Sequence, residues 1–164
     1  MDACFFINWA KFRRRMDIFS LYRRLLVPFA VFSEIKREPA RSFAFTLAAE
    51  RRLLVVPRLE VVDSLALRIF ELVNTDPSLP SIDPPEAYAL AFAKHSGLPL
   101  LTDNASPKLA ALTLEELRGT QVLDSLDVLG ALYPRETLLR FVAEFTEDTG
   151  VRFSARRLRG LGLA

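Results

Sequence analysis

The chain has 164 residues, 51% of them hydrophobic and 26% charged, and a single cysteine. That composition excludes a disordered or disulfide-stapled chain. Its net charge of +2, from 18 Arg and 4 Lys against 20 acids, selects no polyanionic partner. No stretch approaches the roughly 18 uncharged apolar residues of a membrane span. CFFINWA lacks the basic segment that precedes a signal peptide's apolar core. A cytoplasmic protein with no membrane contact is expected, with one domain over 1–133. Residues 134–164 are expected to add a helix and a basic tail packed on that domain.

Residues 4–24 scatter Phe5, Phe6, Trp9, Phe12, Phe19 and Tyr22 among Arg and Lys, the pattern of one broken helix or two. LLVPF (25–29) reads as a short buried strand, and VFSEIKRE as a helix that Pro39 ends. ARSFAFTLAAERR (40–52) is the next helix, LLVVP (53–57) the second strand, and LEVVDSLALRIFELV (59–73) the helix after it. NTDPSLPSIDPP (74–85) is the Pro- and Ser-rich loop. EAYALAFAKH (86–95) is a helix closed by Gly97, and LPLLT (98–102) a third strand. QVLDSL (121–126) holds a fourth strand, and PRETLLRFVAEFTEDTG (134–150) a last long helix closed by Gly150. Strands alternating with helices predict an α/β fold, a three-layer α/β/α arrangement around a central parallel sheet.

In such a sheet, function gathers outside the carboxyl ends of the strands. Asp2 precedes the first helix, and Glu34 lies one turn after the first strand. Asp83 and Glu86 open the helix that feeds the third strand, and Asp103 and Asn104 follow it. Each has a structural explanation. Asp83 with Glu86 across two prolines is a capping box, Glu34 pairs with Arg37, and Asp103 turns its loop. Together, the acids would converge on one crevice. Like charges about 4 Å apart repel by roughly 4 kcal/mol at an effective dielectric of 20. A divalent cation is the usual counter-charge, and oxygen-only ligands favour Mg²⁺ or Mn²⁺. Such an ion suits hydrolysis of a phosphodiester.

DACFFINWA, VPFAVFSEI and PSIDPPEAYALAFAKHSGLPLLTDN, taken in that order, resemble the PIN domain. This is the fold of metal-dependent ribonucleases that include the VapC toxins of toxin–antitoxin pairs. The resemblance spans residues 2 to about 129. It implies that Asp2, Glu34, Glu86 and Asp103 are catalytic and hold one or two Mg²⁺ or Mn²⁺ ions, with Asn104 a further oxygen ligand. Asp83 takes a capping or outer-sphere role, and Thr102 bonds a ligand carboxylate or satisfies backbone. RNA is then the substrate, an antitoxin a partner, and a homodimer the assembly. The alternative is a PIN scaffold without catalysis, serving as an RNA-binding or dimeric interaction module. In the family the first Asp ends a hydrophobic strand, whereas here Met1 alone precedes Asp2.

The paired and tripled arginines (Arg13–Arg15, Arg23–Arg24, Arg51–Arg52, Arg156–Arg157 with Arg159) suit either solvated helix faces or a rim that attracts an RNA backbone. His95 near a helix end is assigned no catalysis, and Cys4 is read as a small buried hydrophobe. The 13 Phe exceed the needs of one small core. They are core residues or an apolar contact face.

Overall fold

The computed structural model describes residues 1–163. Its mixed α/β chain is mostly helical, and its strands are short and parallel. Strand β1 (Leu25–Pro28) pairs with β2 (Leu53–Val56), in register from Leu25 opposite Leu53 to Pro28 opposite Val56. Strand β3 (Leu100–Leu101) pairs with β4 (Val122–Leu123).

A single central sheet is not shown: among the described residues the strands form two parallel pairs, with Met1 and Asp2 bonded between them. The Met1 nitrogen donates to the Leu26 carbonyl at 2.8 Å. The Asp2 N–H donates to the Leu101 carbonyl at 2.9 Å. Two residues bond to one neighbour each, too little for a strand ladder.

Helix α1 (Ala3–Lys11) starts on Asp2, whose carboxylate accepts from the Ala3 N–H. Its face of Phe5, Phe6, Trp9 and Ala10 is fully buried. A 3₁₀ segment (Arg15–Ser20) follows, where the sequence pattern had allowed a broken second helix. After β1 the chain makes one helical turn, α2 (Phe29–Phe32). The longer helix expected through VFSEIKRE stops there. The Ser33 hydroxyl donates back to the Phe29 carbonyl, and Glu34 and Ile35 bond three residues back rather than four. Pro39 also disfavours helical backbone at the residue before it. Helix α3 is Ala40–Ala49 and α4 is Glu60–Thr75.

Helix α5 (Pro84–Ser96) carries Ala at alternate positions and is buried from Glu86 to Ala93. Small side chains let it pack closely on α4, where the Tyr88 hydroxyl accepts the Leu59 N–H. Gly97 ends it at φ +68°, a left-handed conformation that favours glycine. Two further helices follow, α6 (Ala105–Thr113) and α7 (Ser125–Leu132), the latter beginning inside the run 121–126 expected to hold a strand. Helix α8 (Arg135–Thr149) ends at Gly150, and α9 (Ala155–Gly160) lies within the basic tail.

Phe145 of α8 enters the core against Trp9 and Phe12, with ring centroids 5.6 and 5.1 Å away. Each such ring contributes roughly 1.5–3 kcal/mol by burial. Among the described residues, no helix is long and apolar enough to cross a membrane.

Candidate functional site

The site forms where α1, α5 and the loop after β3 begin. Asp2 is 2% exposed although its side chain is a carboxyl group. One of its oxygens accepts the Ala3 N–H at 2.7 Å, tying it to the start of α1. The other accepts the Thr102 hydroxyl at 2.8 Å and the Cys4 thiol at 2.8 Å. Burial, and then the Asp2 charge, push the Cys4 thiol far up. It stays protonated and acts as a donor, a role its small apolar character concealed in the sequence.

Glu86 divides its two oxygens. Oε2 accepts the Asp83 N–H at 3.1 Å, while Asp83 accepts the Glu86 N–H at 2.8 Å, completing the capping box. Oε1 faces the site and accepts from the side-chain amide of Asn104. That amide also reaches Asp2 Oδ2 at 3.5 Å. Asn104 is thus a neutral donor between two carboxylates, and Thr102 orients it by accepting its backbone N–H at 3.1 Å.

Glu34 stands on the same side. Burial raises its pKa first, and the negative charges of Asp83, Asp2 and Glu86 raise it further. Burial also raises Glu86, although the Asp83 N–H and Asn104 pull it back part of the way. Hydrogen bonds thus join Asp2, Thr102, Asn104, Glu86 and Asp83, and Glu34 lies near enough for their charges to act on it.

Asp103 is turned away from this cluster. Its oxygens accept the Ser125 N–H at 2.8 Å, the Ser125 hydroxyl at 2.9 Å and the Asn8 amide at 2.7 Å. Ser125 in turn accepts the indole N–H of Trp9. Asp103 joins the start of α7 to α1. Of the two neighbours in LLTDN, Asn104 points at the acids and Asp103 does not.

The donor set is oxygen-rich, with no histidine near, which fits a hard cation such as Mg²⁺ or Mn²⁺ better than zinc. Among the described residues, no three His, Cys, Asp or Glu side chains are grouped closely enough to hold a metal together. The carboxylates instead satisfy one another's surroundings through Asn104, Thr102 and the cap.

Several of the arginines are paired with acids elsewhere in the chain. Arg13 pairs with Asp148 and Glu147, and Arg14 with Glu144. Arg157 pairs with Asp124 and Asp127. Arg23, Arg24, Arg51 and Arg52 cluster where β1 and β2 begin, at the end of the strands opposite the acids.

Compared with known proteins, the chain matches no family model, no curated protein and no solved structure.

Proposed function

We propose that the chain is a PIN-like domain acting as a divalent-metal-dependent endoribonuclease, a cytoplasmic toxin of a toxin–antitoxin pair. In this reading the two parallel pairs are halves of one central sheet covered by helices on both faces. One observation carries it: Asp2, Glu86 and Asn104, from distant parts of the sequence, are joined by hydrogen bonds, with the charges of Glu34 and Asp83 close by.

Asp2, Glu34 and Glu86 would have to draw together to hold the ion, with Asn104 turning its amide oxygen inward. When bound, Mg²⁺ or Mn²⁺ activates water and offsets charge on the phosphoryl group. The chain's own part is positional. Thr102 and Cys4 fix Asp2, and the Asp83 cap aims Glu86. The catalytic role expected for Asp103 passes to a structural one.

An apolar cleft lined by Phe29, Leu67, Phe70 and Tyr88 lies beside the site, with Phe29 59% and Leu67 60% exposed. It supports a homodimer or an antitoxin helix as occupant.

The test is cleavage of single-stranded RNA with Mg²⁺ or Mn²⁺, spared by EDTA. Glu86→Gln is expected to lower cleavage by about a hundredfold or more while the fold persists. Full activity in that variant would sink the metal role of Glu86. A second reading, an RNA-binding or dimeric scaffold without catalysis, is favoured by the Asn104 amide standing between the two carboxylates. It expects RNA retention that does not depend on metal.

A further inference from the structure

The parallel register of β1 and β2 sets two arginine pairs side by side. Leu25 lies opposite Leu53, and the Leu25 N–H donates to the Arg52 carbonyl at 2.8 Å. Arg23 and Arg24, which lead into β1, therefore stand beside Arg51 and Arg52, which lead into β2. With Phe19 and Glu50 they line an open pocket of about 430 Å³. Its walls hold four arginines against a single glutamate, a surplus of three positive charges. Like charges held opposite one another on neighbouring strands destabilise a sheet.

The chain does not neutralise this surplus. Arg52 lies over the Phe19 ring, 4.9 Å from its centroid, with Glu50 3.6 Å away. Among the described residues, the side chains of Arg23, Arg24 and Arg51 form no ion pair or hydrogen bond. Helix capping does not account for them either. Helix α3 closes on backbone alone: the Arg51 N–H donates to the Ala48 carbonyl at 3.0 Å and the Arg52 N–H to the Leu47 carbonyl at 2.8 Å. That closure puts Arg51 in the left-handed region, at φ +57°, where glycine is the usual residue. Arginine is held there against backbone strain, and its side chain joins the pocket wall.

We propose that this pocket binds adjacent phosphates, the di- or triphosphate of a small ligand. Guanidinium forks match phosphate oxygens two at a time. A condensed phosphate chain brings several negative charges into one pocket, and so answers the three-charge surplus better than a lone phosphate does. Phe19 packs on the core and lies under Arg52, so the ring is already engaged and recognition rests on the phosphates rather than on a stacked base. The pocket lies at the end of the strands opposite the acids, and it does not depend on whether they catalyse.

Calorimetry on the full chain tests this in about 0.15 M salt with EDTA, which removes any metal that could hold phosphate at the acids. The probes are inorganic triphosphate, orthophosphate, ATP and single-stranded RNA with a 5′-hydroxyl. Triphosphate is expected to bind at least about tenfold tighter than orthophosphate. Arg23→Gln and Arg51→Gly should each weaken it by about tenfold or more. Arg152→Gln, which removes an exposed charge elsewhere, should leave it unchanged. Arg51→Gly should also raise the Tm of the unliganded chain by about 2–4 °C, separating lost binding from lost folding. No triphosphate binding, or orthophosphate binding as tight, would overturn the adjacent-phosphate ligand. Equal weakening by Arg152→Gln, or full affinity in Arg51→Gly, would overturn the pocket as the site. ATP binding more than about tenfold tighter than triphosphate, or RNA binding as tightly through Arg23 and Arg51, would overturn recognition by a phosphate chain alone.

Discussion

Glu86 answers to two partners at once, the Asp83 N–H behind it and the Asn104 amide before it. Gln at this position can still accept from Asp83, but its amide then presents N–H to N–H at Asn104. The cap should survive the substitution while the charge in the crevice is lost. Asp83→Ala reverses the balance, costing about 1 kcal/mol in urea unfolding through the lost cap and touching the chemistry less. The LLTDN pair is separable in the same way. Asp103→Ala leaves Ser125 and Asn8 without their acceptor and should cost about 2 kcal/mol, with Mn²⁺ affinity measured by calorimetry unchanged. Asn104→Asp adds a charge to the crevice and should tighten Mn²⁺ by about tenfold or more. The Asp83–Glu86 cap was legible in the sequence because D-P-P-E spacing carries its own geometry. The facing of Asp103 and Asn104 was not. It is decided by Ser125, 22 residues further on, which captures the aspartate.

At the level of elements, α7 stands on a second capping box, Asp124 with Asp127. QVLDSL reads as a strand because of its first apolar residues. The ladder covers only Val122 and Leu123, and Asp124 then starts a helix. D-S-L-D was a usable signal for that helix, masked by the hydrophobic run before it. Helix α6 carried less: its cap residue Asn104 makes no side-chain capping bond, and Pro107 lies in its first turn. The Asp124–Asp127 pair also gathers Lys108 and Arg157, and so anchors α9. Burial alone would raise the Asp127 carboxyl. The Asp124 N–H, Arg157 and Lys108 outweigh it and hold the group at about 2. A folded pKa below the unfolded value of about 3.8 gives stability that is present above that pH and lost as pH falls toward 2. Comparing Asp127→Asn with the parent chain by thermal unfolding should therefore show a deficit at pH 6 that shrinks between about pH 4 and 2.

For the whole molecule, the crevice works in the opposite sense. Glu34 and Glu86 have raised pKa values, from burial first, with neighbouring acids adding to it. Groups whose folded pKa is raised favour the fold while protonated, and that contribution is lost as pH rises through the folded values. In EDTA, Tm should fall as pH passes upward through this range, and Glu34→Gln should flatten the fall. A divalent cation relieves the same repulsion. Mn²⁺ at a hundredfold excess over Kd should raise Tm by about 5–10 °C at pH 7. The rise should fade as pH falls, beginning above the ~4.3 of an ordinary glutamate because both groups are raised. The alternation of strands and helices was readable from hydrophobic runs and glycine stops. The division into two parallel pairs was not, because pairing depends on what lies between β1 and β3 rather than on either strand.

Asp2 and its partners also differ in when they are made. Asp2 leaves the ribosome about a hundred residues before Leu101 and Thr102, which at roughly 5–20 residues per second is an interval of several seconds. Asp2 can cap α1 at once, because Ala3 is its neighbour. The β1–β2 pair can form in the meantime. The crevice waits for Thr102 and Asn104, and the Asp103 bond to Ser125 waits longer still. Asp2 is thus held in place by residues made much later, and while it is being made the nascent chain has the cap of its first helix but no assembled site.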